Sequence, residues 1–271
     1  MLTEQRRVYR SREMKNLPRK LNRRHFIRAA VLASPFAAAA DGFLIEPNWL
    51  AVRHFRLTEN PTIRLVHFSD LHHKGDEEPL ESVVEKINSL KPDVVCFTGD
   101  IVEDTKHLTS ALAGLEKINA PLFGVPGNHD YWAGMDFSLP RRSLRKNGGR
   151  WLMDDWHLID ELNLRITGLT CEASYTPPED PNRQHVILLH YPKWVEKLQP
   201  GSAQLALAGH SHGGQVRVPF IGPLITPTGV GKYDLGRFET KAGPLYVTSG
   251  VGYFMLNVRF NCRPEIALFE L

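Results

Sequence analysis

From about Leu44 the chain alternates short apolar runs with amphipathic stretches. Thr62 to Phe68 reads as a strand ending at Ser69-Asp70, and Glu78 to Leu90 has apolar residues at helical spacing. Asp93 to Thr98 reads as a buried strand that ends at Gly99-Asp100. Leu108 to Ile118 is helical in pattern, and Leu122 to Val125 is a strand stopping at Pro126-Gly127-Asn128-His129-Asp130. Strand, helix, strand, helix, strand predicts parallel pairing and an α/β domain with its helices on the faces.

The second half has a different rhythm. Apolar runs at His157 to Asp160, Leu164 to Leu169, His185 to His190, Gln204 to Ala208, Gln215 to Val218, Pro244 to Thr248 and Glu265 to Glu270 are separated by Gly, Pro and Asn turns. These predict a second, partly antiparallel sheet packed on the first. The body, residues 41–271, shows no internal repeat or linker and reads as one catalytic domain.

The strand ends carry the chemistry. Asp70-Leu71-His72, Gly99-Asp100 and Gly127-Asn128-His129-Asp130 close three successive strands, and ligands of α/β sheets bind outside the carboxyl ends of strands. There are 27 residues between His72 and Asp100 and 27 more between Asp100 and Asn128, one helix-containing crossover each. Leu188-Leu189 leads into His190, and Leu205 to Ala208 leads into Gly209-His210-Ser211-His212-Gly213-Gly214. Alternate residues of extended chain point the same way, so Asp70 with His72, and His210 with His212, can face one site. Imidazoles and carboxylates without thiolate suit Zn, Fe or Mn. With Asn128, the two Asp (70, 100) and four His (72, 190, 210, 212) make seven groups, too many for one tetrahedral ion and suited to two ions sharing a carboxylate.

Composition and charge narrow the field. At 271 residues, 42% hydrophobic and 23% charged, the chain is globular, which excludes disorder, collagen and coiled coil. The net charge of +3 is unevenly placed: residues 1–28 hold ten basic and two acidic side chains, leaving a body with 23 basic and 28 acidic. A body at −5 gives no reason to expect a nucleic-acid partner.

The basic run is followed by the uncharged stretch Ala29 to Ala40, which ends in small residues before Asp41, the layout of an export signal. Asn22-Arg23-Arg24-His25-Phe26-Ile27-Arg28 resembles a twin-arginine motif, so residues 1–40 read as a signal for the twin-arginine export machinery, cut near Ala40. Pro35 is expected to interrupt any membrane-spanning helix there. Cys96, Cys171 and Cys262 are odd in number and far apart, which predicts no disulfide framework. His54, His67, His107, His157 and His185 read as surface or strand residues, and His73 as a solvated or outlying neighbour of His72. Tyr131-Trp132 and Tyr253 to Leu256 read as packing residues more than as the lining of a substrate mouth.

Asp-x-His, Gly-Asp, Gly-Asn-His-Asp, a lone His and Gly-His-x-His, in that order, resemble the calcineurin-like metallophosphoesterase superfamily over Leu44 to Leu271. Ile45-Glu46-Pro47, residues 209–215 and Arg263-Pro264-Glu265-Ile266 resemble its bacterial exported branch. The resemblance implies two packed mixed β-sheets flanked by helices. It places Asp70, His72, Asp100 and His212 on one metal ion and Asp100, Asn128, His190 and His210 on the other, the ions being divalent or trivalent Mn, Fe or Zn. His129 would give a proton to the phosphoryl or leaving oxygen, and Asp130 would orient it through its other ring nitrogen.

The implied activity is hydrolysis of phosphodiesters or phosphomonoesters by a hydroxide bridging the two ions, in the periplasm or cell envelope, on a substrate that is amphiphilic if the aromatic stretches prove exposed. Peripheral membrane contact goes with that substrate. Two alternatives stand beside it. One is a pyrophosphate hydrolase for UDP-linked lipid such as a lipid A precursor, whose members resemble Gly-Asn-Arg-Asp where this chain has Gly-Asn-His-Asp. The other is a non-catalytic metal-binding envelope protein.

Overall fold

A computed structural model of the protein describes residues 22–170 and 183–271, so Cys171 and the first 21 residues lie outside the described part. The chain divides into two compact units, Met1–Ala40 and Asp41–Leu271.

In the first unit, Arg23–Ala40 is one continuous α-helix that runs through Pro35. The expected break there is absent for a local reason. Pro35 cannot donate to the Val31 carbonyl one turn back, and the Ser34 hydroxyl donates to it instead at 2.9 Å. Residues Arg23–Asn48 make a run of 26, long and apolar enough by length and composition to cross a membrane, a property that signal sequences share.

The second unit is a pair of stacked sheets. Its strands are β1 (Ala51–Arg56), β2 (Arg64–Phe68), β3 (Val94–Phe97), β4 (Leu122–Gly124), β5 (Arg150–Trp151), β6 (Asp155–Ile159), β7 (Leu164–Gly168), β8 (Gln184–Leu189), β9 (Leu205–Ala208), β10 (Arg217–Val218), β11 (Gly222–Pro223), β12 (Gly236–Glu239), β13 (Pro244–Val247) and β14 (Glu265–Glu270). One six-stranded sheet has the order β1-β14-β2-β3-β4-β5, the other β12-β13-β9-β8-β7-β6, and β10 with β11 forms a separate ribbon.

Strands β2 to β5 run parallel, as the crossover pattern requires. The second sheet has parallel neighbours from β13 to β7 and antiparallel edges at β12 and β6. Two expected members of that sheet lie elsewhere. Glu265–Glu270 inserts into the first sheet, antiparallel to β2 and parallel to β1, and Arg217–Val218 belongs to the ribbon.

Alternation along the first sheet's strands serves two of the three cores. Val66, Phe68, Val95 and Phe97 face the helices, while Leu65, Val94 and Cys96 face the second sheet and meet Ile166, Val186, Leu188 and Leu207. The helix Glu77–Ser89 buries Leu80, Val83, Val84 and Ile87 on one stripe and carries Glu77 and Glu78 in its first turn and Lys86 in its last, matching its dipole. Leu108–Leu115 packs beside it through Leu108, Ala111, Leu112 and Leu115. Period two also explains His67: it shares a face with Leu65, is fully buried, and bonds Thr98 Oγ1 at 2.9 Å. His185, on β8, is buried as well, and His73 is buried against Ser110 rather than solvated. Cys96 and Cys262 are free and buried.

Candidate metal centre

The carboxyl ends of β2, β3, β4, β8 and β9 deliver all seven expected ligands to one place, and each of them is buried. The backbone turns sharply to do so. Asp70, His72, Asp100, His210 and His212 all have positive φ, between 42° and 67°, in a region that non-glycine residues seldom occupy. Five such residues at one rim are strain held in place by the surrounding fold.

Hydrogen bonds between the loops hold it. Asp70 N donates to Gly99 O at 2.9 Å and His72 N to Asp100 O at 3.0 Å, while Asp70 accepts from His210 N at 3.0 Å. The glycines of the motifs are close-approach positions. A Cβ on Gly127 would strike the Asp100 carboxylate, and one on Gly209 would strike Ser69 and Asp70.

Two donor groups emerge, joined at Asp100. In the first, His72 Nε2 is 3.1 Å from His212 Nε2 and 3.4 Å from Asp100 Oδ2, and His212 Nε2 is 3.7 Å from Asp70 Oδ1. In the second, His190 Nε2 is 3.3 Å from Asp100 Oδ2, 2.9 Å from Asn128 Oδ1 and 3.2 Å from His210 Nδ1. Donor atoms bound to one ion at about 2.1 Å stand roughly 3.0–3.5 Å apart around it, and four of these six separations fall in that range, with 2.9 and 3.7 Å just outside it.

Tautomers strengthen the fit. His190 Nδ1 lies 2.6 Å from Thr98 O and His210 Nε2 2.8 Å from Thr228 O. Carbonyls only accept, so both of those nitrogens carry the proton and the facing pair of nitrogens presents lone pairs. Two lone pairs at 3.2 Å need a shared proton or a cation between them. His72 Nδ1 and Lys74 Nζ lie 3.2 and 2.9 Å from Glu103 Oε1, ion-pair distances without hydrogen-bond geometry, and the buried Nδ1 of His212 has no hydrogen-bond partner among the described residues. The donor set therefore fits two metal ions with Asp100 shared.

The electrostatics agree. Burial raises the Asp70 pKa, helped by the neighbouring Asp100 charge. Burial also opposes charge on Asp100, but His190 and His72 outweigh it and lower its pKa. For His190 burial acts downward, yet Asp100 and Asp70 push its pKa up to about 9; His210 beside it falls to about 3 through burial and the His190 charge. Without metal the pocket keeps one proton on His190, at the spot where a cation fits.

His129 sits at the edge, half-buried, its backbone N–H donating to Asp100 Oδ1 at 2.8 Å. Burial lowers its ring pKa, and the ring packs against His72, Trp132 and Phe254 at centroid distances of 4.8, 4.8 and 4.9 Å. It also groups with His72 and Asp100 as a possible ligand, closer to the donor atoms than a purely outlying acid requires.

Asp130 departs from its expected contact. Its oxygens accept from Asp100 N at 2.9 Å, Ile101 N at 2.8 Å and Gly127 N at 2.8 Å, and among the described residues no hydrogen bond joins it to His129. Three backbone donors leave it as the tie between two ligand-bearing loops. Burial, then the Asp100 charge, raises its pKa to about 7.

Two further features escape the sequence reading. Glu103 supports His72 from three residues beyond Asp100, where only its position as a charge after Ile101-Val102 marks it. Trp132 is 71% exposed and Phe254 41%, so the aromatic stretches flank His129 at the surface instead of packing into the core.

Residues 63–214 match the family Calcineurin-like phosphoesterase, a little over half of the chain. The protein is 30% identical over 284 residues to the uncharacterized metallophosphoesterase YkuE of Bacillus subtilis, covering 93% of this chain and 98% of that one. It is 29% identical over 272 residues to phosphodiesterase YaeI of Escherichia coli, covering 93% and 99%. It is 26% identical over 315 residues to the UDP-2,3-diacylglucosamine pyrophosphatase LpxG of Chlamydia trachomatis, covering 89% and 94%. With donor groups that fit two ions and a match across the strands that carry them, the chain belongs to the calcineurin-like phosphoesterases and is a metal-dependent hydrolase of phosphoric esters.

Proposed function

We propose that this protein is an exported phosphodiesterase, active also on phosphomonoesters, working through two ions. Asp70, His72, Asp100 and His212 hold one ion, and Asp100, Asn128, His190 and His210 the other. The observation that carries this reading is the position of Asp100 Oδ2, 3.4 Å from His72 Nε2 and 3.3 Å from His190 Nε2. Bound there, two ions supply Lewis acidity that activates water near neutral pH and offsets the charge of the phosphoryl oxygens. The name of the Escherichia coli relative, a phosphodiesterase, favours diesters.

The chain's own residues orient and exchange protons. Asp100 supplies the shared anion and keeps the His129 backbone close by accepting its N–H. His129 stands where it would give a proton to the departing oxygen, although burial lowers its ring pKa and so favours the neutral ring before substrate binds. Asp130 positions His129 through the backbone, by tying Gly127 to Asp100 and Ile101.

Residues 1–40 are an export signal of the twin-arginine type, cut near Ala40, and the mature chain works in the periplasm or cell envelope. The Arg23-Arg24 pair at the head of the apolar helix supports this.

A second reading, hydrolysis of a lipid-linked pyrophosphate, is favoured by one observation: the exposed rings of Trp132 and Phe254 on either side of His129. A panel of phosphomonoesters, phosphodiesters and lipid pyrophosphates, with metals measured on the same sample, separates the two. Best turnover of diesters is expected. Turnover confined to the lipid pyrophosphate overturns the first reading in favour of the second, and full metal occupancy with no hydrolysis overturns both.

A further inference from the structure

Apolar side chains stand exposed on two loops near the site, one of which also packs on His129 through Phe254. The hairpin of β10 and β11 carries Phe220, 109% exposed, and Ile221 at its tip, with Ile225 exposed just beyond. A second loop carries Phe254, Met255 and Leu256, all exposed. Gln215 joins the two: its side-chain amide donates to Leu256 O and Val258 O at 3.0 Å, its Oε1 accepts from Phe254 N at 3.0 Å, and Arg217 N, opening the hairpin, donates to Phe260 O at 2.9 Å. The loops therefore form one face, and Phe254 connects that face to His129.

We propose that this face docks the protein on a lipid bilayer, with the hairpin tip and the Met255 loop inserted at the headgroup boundary and the metal centre opening toward the membrane. Single exposed apolar side chains are ordinary, but a contiguous set around a site marks a binding surface. Two observations select a bilayer as the occupant. Residues 216–233 and 251–262 contain no Asp or Glu, in a body that is acidic as a whole; Arg259 is buried and Arg217 is paired with Asp234 at 2.9 Å, so the exposed Lys232 is the charge these loops turn toward an anionic lipid surface.

The start of the body also lies on the second of these segments. Gly42 O accepts from Arg259 N at 2.9 Å, the Glu46 carboxylate accepts from Asn261 N and Cys262 N at 2.9 Å, and Arg263 stacks on Trp49. Phe43, Leu44 and Ile45, near the end of the apolar run that closes at Asn48, are exposed there, so the start of the body and the two loops both expose apolar side chains. Aromatic and branched side chains presented on loop tips, without carboxylates, partition into the interfacial region.

The test uses the full chain carrying Met255→Cys and Cys171→Ser, labelled with an environment-sensitive fluorophore; Cys96 and Cys262 are buried. The probes are vesicles of phosphatidylglycerol and phosphatidylethanolamine and vesicles of phosphatidylcholine, each with and without headgroup-level nitroxide lipid. The proposal predicts a blue shift and nitroxide quenching, stronger on the anionic vesicles. It predicts no change for a label at Glu161→Cys, in the exposed turn before β7 at the opposite end of its sheet.

Adding Phe220→Ser and Ile221→Ser on the other loop should raise the lipid concentration needed for half the Met255 signal by about tenfold or more. Hydrolysis of a small soluble phosphodiester stays unchanged in that variant, which also shows that it folds. A probe that stays in water on both vesicle types, while the chain still co-sediments through its leader, overturns the proposal and leaves the face to a protein partner. The readout is the label, so it answers independently of the reaction assigned to the site.

Discussion

The Nε2 atoms of His72 and His212 meet 3.1 Å apart in a buried pocket, although the residues are separated by 140 positions in sequence. Two neutral imidazoles share one proton at most in that contact. An ion beside both, with Asp70 and Asp100 as the anionic donors, satisfies all four groups at once.

Asp100 belongs to both donor groups, so Asp100→Asn should lower metal content at both positions and reduce kcat/KM by more than the roughly 100-fold typical of an outer-shell partner. Among the described residues Asn128 bonds His190 and sits in one donor group, so Asn128→Ala should reduce occupancy of one ion and leave the other bound. Elemental analysis of the two purified variants checks this; equal loss in both contradicts the shared role.

Glu103→Gln removes the carboxylate beside His72 Nδ1. Metal affinity should fall about 10- to 100-fold with the fold intact, measured by competition with a chelating dye. An unchanged affinity would reduce Glu103 to a partner of Lys74.

His129→Ala should retain both ions and lower turnover by about 10²- to 10⁴-fold. Loss of an ion in this variant would instead count His129 among the ligands, a role its closeness to His72 and Asp100 permits.

Arg259 is buried and among the described residues bonds no carboxylate; its guanidinium donates to the carbonyls of Ser249, Gly250, Gly252 and Cys262, and the loop it holds takes Asp70 O through Gly252 N. Arg259→Ala orphans those carbonyls and should destabilise the protein by about 3 kcal/mol or more, read as a drop in Tm.

The His190 pKa gives a pH signature for the metal-free protein. Folding raises it from 6.5 to about 9, because Asp100 outweighs burial. The stabilisation is complete below pH 6.5 and is lost as pH rises through about 9, so the metal-free Tm should fall across that window. Metal replaces this proton, and the loaded protein should show little of the decline while releasing protons on loading. A flat metal-free profile would mean that His190 is not the protonated group.

The five motifs were legible because each closes an apolar run, and a run followed by Asp, Asn or His marks a strand end whatever sheet it joins. Sheet membership was not legible: Glu265–Glu270 has the pattern of any buried strand, and only tertiary packing puts it between β1 and β2. Ala51–Arg56 was hidden because an edge strand with Arg53, His54 and Arg56 exposed lacks a clear alternation. Asp130 was assigned a ring contact by analogy, whereas its three backbone donors come from turns that no spacing rule specifies. Trp132 and Phe254 are composed like core residues, and only the structure shows them at the surface beside His129.

The central claim is a two-ion site that performs the hydrolysis. The most direct measurement is metal stoichiometry and phosphodiester turnover on one sample of purified protein, taken before chelation, after it, and during stepwise return of Mn, Fe or Zn. Two ions per chain, turnover abolished by the chelator, and recovery that saturates only with the second equivalent are predicted. Full turnover with one ion or none per chain would contradict the account.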